Sequence, residues 1–152
     1  MGRDTTTGSN YESIIELCIK RSCDKHNLRA VDQAFVGEKP GGGRHKIDWE
    51  IIDVANENRR ALVSCKVQNK SGTAEEKIAY EVIKLLHAME HDPRYLHSWI
   101  LMGGDGWSAG MKSFVENELE KWVPAMRDRV TIISSTDALI SSDIFAALAS
   151  GS

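Results

Sequence analysis

Cysteine is scarce and odd in number: Cys18, Cys23 and Cys65 are the only three among 152 residues, and no two stand in a CxxC spacing. A zinc ribbon and a disulfide scaffold are thereby excluded, and reduced cysteines that pack are expected. Long apolar runs are missing as well. The longest are a handful of residues, far short of the roughly 20 that cross a bilayer, and Met1-Gly2-Arg3-Asp4-Thr5 lacks the apolar stretch of a secretory signal. A cytoplasmic protein with no membrane partner is the expectation. Neither sign of charge dominates: a formal net charge of −3 and a pI near 5.9 exclude coating of nucleic acid by net charge alone, though not a local basic groove. No segment repeats and none is of low complexity, so solenoids are excluded too.

What remains is a chain of 16.9 kDa with 41% hydrophobic and 27% charged residues, the composition of one globular domain with a real core. Residues 1–9 are small and polar and read as a flexible arm, ended by a cap at Ser9 or Asn10, with one domain over 10–150. From Tyr11 to about Lys25, Ile14, Ile15, Leu17, Cys18 and Ile19 recur at helical spacing. Val31–Val36 alternates as a strand and ends in Pro40-Gly41-Gly42-Gly43. Lys46–Val54 and Ala61–Gln68 read as the next two strands, giving an antiparallel meander. Thr73 opens a helix whose residues Ile78, Val82, Leu85, Leu86 and Met89 form one buried stripe. Tyr95–Met102 follows as a strand able to join the sheet in parallel through a right-handed crossover. A helix over 109–123, a strand at Val130–Ile133 and a helix over 136–149 complete the chain. The fold class is therefore α/β: an αβββαβ core with a mixed central sheet flanked by helices, plus a C-terminal αβα extension.

Two charges sit on strands that are otherwise apolar, Asp48 and Lys66. Buried alone, either would cost several kcal/mol, so each needs a partner or a polar site. A plain cross-strand ion pair satisfies that need. So does a hydrolytic centre, in which a carboxylate holds a hard cation and a lysine orients a water aimed at a phosphodiester. Cys65 next to Lys66 points to the opposite face and reads as packing, because side chains alternate along a strand. His87 and His91 share one helix face without an HExxH pattern. Gly103-Gly104-Asp105-Gly106-Trp107 lacks the P-loop lysine and reads as a strand-to-helix turn or a loop near nucleic acid.

Asp48, then Ser64-Cys65-Lys66 and Gln68 on the second and third strands of an αβββαβ core, resembles the PD-(D/E)XK nuclease superfamily, which includes restriction endonucleases and Holliday-junction resolvases. The stretch from Gln68 to Lys77 also resembles the segment after the motif lysine in restriction-type members. In that resemblance Asp48 matches the first acid, Lys66 the motif lysine, and Gln68 the polar residue two positions on. Glu12 matches an acid that some members add from the first helix. Ile47 replaces the proline, and Ser64 replaces the second acid.

The resemblance implies a metal-dependent, restriction-type DNA endonuclease using Mg²⁺, with Mn²⁺ as substitute. Its partners would be double-stranded or branched DNA and further copies of itself, as a homodimer or higher homo-oligomer. Catalysis would rest on Asp48, Lys66 and Gln68, and the metal on Asp48, Glu76 and Glu12. Glu76 is the leading replacement for the missing acid, with Glu75, Glu81 and Glu50 as others. Thr73-Ala74-Glu75-Glu76 equally fits a capping box, in which Glu76 serves only its helix. Glu50 shares strand parity with Asp48 and enters the site or faces solvent. If no acid fills the gap, the alternative is a decayed nuclease-fold module that binds DNA or a protein partner without cutting.

Overall fold

A computed structural model describes residues 3–68 and 77–150. Helix α1 (Arg3–His26) leads into β1 (Leu28–Glu38), β2 (Arg44–Asp53) and β3 (Arg60–Val67). Then come α2 (Ile78–His91), β4 (Tyr95–Gly103), α3 (Ala109–Asn117), α4 (Leu119–Trp122), a 3-10 turn at Pro124–Met126, β5 (Val130–Ile133), α5 (Thr136–Ser141) and α6 (Ala146–Ser150). The sheet runs in the order β1-β2-β3-β4-β5. Its first two pairings are antiparallel and its last two parallel, as the meander and the crossover through α2 require.

Beyond shifts of one to three residues at the strand ends, three segments differ from the sequence reading. The backbone is helical from Arg3, so helix replaces the loose arm expected over 1–9 in all described residues there. Extending an existing helix adds a hydrogen bond per residue fixed, which carries weak helix formers along. The helix expected over 109–123 divides at Glu118, whose φ of −127° leaves the helical region. The helix expected over 136–149 divides at Ser142–Phe145. There Ser141 and Ser142 turn their hydroxyls back onto Ala138 O and Leu139 O, and Ser142 is extended.

Two apolar layers sandwich the sheet. On one side the α2 stripe of Ile78, Val82, Leu85, Leu86 and Met89 packs with Ile47, Leu62, Ile100 and Met102. On the other, Ile15, Cys18, Ile19 and Cys23 of α1 pack with Ile51, Val63, Leu101 and Phe145. The β1–β2 pair switches layers midway. Ala30, Trp49 and Ile51 face the α1 layer, whereas Ala34, Val36 and Ile47 face the α2 layer. Strict alternation would keep Ile47, Trp49 and Ile51 on one face, so the pair is twisted between them. Gln33 marks the place with a left-handed φ of 55°, and the residue between Ile47 and Trp49 is Asp48.

Candidate functional site

The β2–β3 ladder ends at Trp49↔Val63, while β3 stays paired to β4 as far as Val67↔Gly103. Beyond Trp49↔Val63 strands β2 and β3 part, and the next residues on the two sides of the fork are Asp48 and Ser64. Asp48 Oδ2 accepts from the Cys65 N–H at 2.8 Å, so a carboxylate closes the donor at the point where the ladder stops. Asp48 opens into a cleft of about 320 Å³ whose walls include Glu12, Asp32, Gln33, Trp49 and Cys65. Burial, and next the Asp48 charge, push the Cys65 thiol pKa far up, so it is not a nucleophile at neutral pH.

Lys66 does not pair with Asp48. Its Nζ lies 3.2 Å from Glu81 Oε1 on α2, and Lys84 Nζ reaches the same oxygen at 3.2 Å. Glu81 is 4% exposed and also hydrogen-bonds Ser64. Burial pushes its pKa up, but the Lys66 and Lys84 charges and the Ser64 hydroxyl outweigh it and hold Glu81 ionised below the ordinary glutamate value. Ser64 and Lys66 on β3 are therefore joined to a carboxylate of the neighbouring helix. The signal was in the sequence, because Glu81 falls at i+3 from Ile78, inside the apolar stripe, where an unpaired charge is costly. Glu76 and Glu75 lie outside the described residues.

Glu50 enters neither the site nor solvent. It is buried on the α2 side of the sheet, accepting from the Tyr95 hydroxyl at 2.9 Å and Arg60 Nη1 at 3.0 Å. Gln68 grips the turn after β4. Its N–H donates to Gly103 O, its Nε2 donates to Gly106 O at 3.0 Å, and its own carbonyl accepts from Gly106 N–H. Trp107 Nε1 donates to Gly103 O, closing the same turn from within. Asp105 in that turn hydrogen-bonds Tyr11, the residue before Glu12, which ties the turn to α1. His87 and His91 stack with ring centroids 4.3 Å apart, and His91 Nδ1 meets His87 O.

A model of the PD-(D/E)XK nuclease superfamily domain matches residues 7–149. The chain belongs to that superfamily. No curated protein and no solved structure matches it significantly. The match covers α1 through α6, and with it the fork that separates Asp48 from Ser64. Membership in the PD-(D/E)XK superfamily suggests nuclease-type hydrolytic activity, and its members generally use divalent metals. In donor chemistry the cleft suits such an ion, because Asp48 and Glu12 offer hard carboxylate oxygens on its wall. Among the described residues, no group of three His, Cys, Asp or Glu side chains stands close enough to hold one. No helix among them is long and apolar enough to cross a membrane.

Proposed function

We propose that this PD-(D/E)XK domain is a Mg²⁺-dependent endodeoxyribonuclease that hydrolyses phosphodiesters in double-stranded or branched DNA. The observation that carries the reading is Glu81, buried against Ser64 and Lys66, which supports its taking the role of the motif's missing acid. Asp48 and Glu81 would supply carboxylate oxygens from the two sides of the fork, and Glu12 lies on the wall of the Asp48 cleft. A divalent ion bound there supplies Lewis-acid polarisation of the phosphate and a more acidic water. Lys66, fixed by Glu81, orients the attacking water and offsets charge on the phosphate. Gln68 acts through backbone, holding the 103–107 turn and with it the Asp105–Tyr11 link to α1. Cleavage of both strands requires two such sites, and a homodimer supplies them.

The purified chain should convert supercoiled plasmid or labelled duplex to product with Mg²⁺ or Mn²⁺, and Lys66→Ala and Asp48→Asn should not. Equal behaviour of wild type and Lys66→Ala would overturn the reading. A second reading draws on the same ion pairs. Glu81 held by Lys66 and Lys84, and no group of three ligands among the described residues, favour a decayed module that binds DNA or a protein partner without cutting. Calorimetry separates the two, since Mg²⁺ binding that vanishes in Asp48→Asn belongs to the enzyme alone.

A further inference from the structure

The β1–β2 pair continues past the fork as a two-stranded ribbon. Its register runs on through Ala34↔Ile47 and Phe35↔Lys46 to Glu38↔Arg44, with an irregularity between the last two pairs. The tip turns through Gly41, Gly42 and Gly43 at φ of 85°, 99° and 92°, a left-handed sequence that other residues rarely adopt. The ribbon has unlike faces. Ala34, Val36, His45 and Ile47 pack inward in the α2 layer or are buried beside it, whereas Phe35, Arg44 and Lys46 are exposed. The Arg44 guanidinium lies 3.7 Å from the Phe35 ring centroid, which fixes its direction without neutralising it. Neither Arg44 nor Lys46, nor Lys39 near the tip, forms an ion pair within the described residues. Following β2 inward, Arg44 and Lys46 lead to Asp48 in steps of two residues, about 7 Å each. Gln33 and Asp48 belong to the cleft wall, so the charged face of the ribbon is continuous with it.

We infer that the outer face of this ribbon is the surface that takes the sugar-phosphate backbone of duplex DNA and leads it to Asp48. The inference rests on the nuclease reading for what happens at Asp48, but not for the binding itself. Three properties favour this occupant. A two-stranded ribbon is one of the elements that the major groove of B-DNA admits. Arg44 and Lys46, spaced along one strand and without an ion pair among the described residues, match an anion that repeats along a line. The track ends on the carboxylate at the fork rather than on open surface. Arg44 and Lys46 would each neutralise one phosphate.

The test is fluorescence anisotropy of the full chain with a labelled duplex in EDTA, across a salt series, so that binding is read without cleavage. An Arg44→Gln/Lys46→Gln variant should weaken binding by about tenfold and lower the slope of log K against log salt by about 1.8. A Lys121→Gln/Arg127→Gln variant makes the same charge change at exposed positions on and just after α4, and it should stay within about twofold of wild type. Matching thermal melts for all three confirm that the fold is kept. Wild-type affinity in the ribbon variant, an equal loss in both variants, or no duplex binding by wild type would each overturn the inference. Failure of the nuclease reading looks different: ribbon-dependent binding persists while no condition with Mg²⁺ or Mn²⁺ yields cutting.

Discussion

Two buried glutamates, Glu50 and Glu81, are 8% and 4% exposed on the α2 side of one sheet, and they are satisfied in opposite ways. Glu50 meets one cation, Arg60, and one neutral donor, the Tyr95 hydroxyl, and its group closes on itself. The Glu50 carboxylate in turn adds to burial in pushing the Tyr95 pKa far up, which keeps that hydroxyl a donor. Glu81 is shared by Lys66 and Lys84 through a single oxygen. Among the described residues, its two partners carry one positive charge more than it can neutralise. A closed pair is what a fold needs, whereas an unbalanced one is what a site needs, because its surplus charge is available to a substrate.

The largest expected effect breaks the Glu81 side of this contrast. Glu81→Gln should lower DNA cleavage by about 1000-fold, near 4 kcal/mol of transition-state stabilisation, as read in single-turnover assays. Adding Ser64→Glu to that variant returns an acid to the motif position and should restore part of the rate. Glu50→Gln should do the reverse. Cleavage per folded molecule stays near wild type, while urea denaturation shows a loss of about 3 kcal/mol, because Arg60 is left buried without its partner.

A third carboxylate sharpens the comparison from outside the site. Asp143 joins α1 to the C-terminal segment, accepting from the Ser22 hydroxyl at 2.6 Å and meeting His26 Nε2 at 2.8 Å. Ser22 in turn accepts the Phe145 N–H, so its hydroxyl is spent on structure and this Ser-His-Asp group is a clasp rather than a triad. The Ser22 bond first, then His26 and Lys25, hold Asp143 at about 2 instead of 3.8. Its contribution is therefore complete above pH 3.8 and is lost as pH falls through 2. Asp143→Asn should remove that acid dependence and cost about 2 kcal/mol at neutral pH, with cleavage unchanged.

The smallest effect concerns His45, 1% exposed with both ring nitrogens unpartnered. Burial first, and then Lys84, keep its pKa below 6.5. The unfolded chain takes up a proton below pH 6.5 that the folded chain refuses, so stability falls from there down to the lowered folded value. His45→Leu should flatten that slope in denaturation midpoints and add about 1 kcal/mol at neutral pH.

Asp48 and Lys66 were legible in the sequence because a charge inside an apolar strand stands out, and the α2 stripe because its period is regular. The layer switch at Gln33 and Asp48 was not, since a reading by alternation assumes that each strand keeps its faces. That assumption also put Glu50 in line with Asp48. The choice among Glu76, Glu75 and Glu81 depended on how far α2 sits from the fork, which is a tertiary property. Glu81 was readable only as a charge out of place in a stripe. The breaks at Glu118 and Ser142 escaped because apolar periodicity continues across both. Ser142 is explained by its own hydroxyl, and nothing in the structure explains Glu118.

The bond from the Cys65 amide to Asp48 Oδ2 gives the molecule a built-in reporter. An amide proton bound to a carboxylate resonates according to the charge on that carboxylate. The Cys65 cross-peak in a nitrogen-proton spectrum should therefore move when the Asp48 carboxylate is protonated or engaged by a cation, and should stay still when only the ribbon is occupied. One resonance would then separate arrival of a ligand at the fork from arrival on the approach to it, with no label attached and no bond cut.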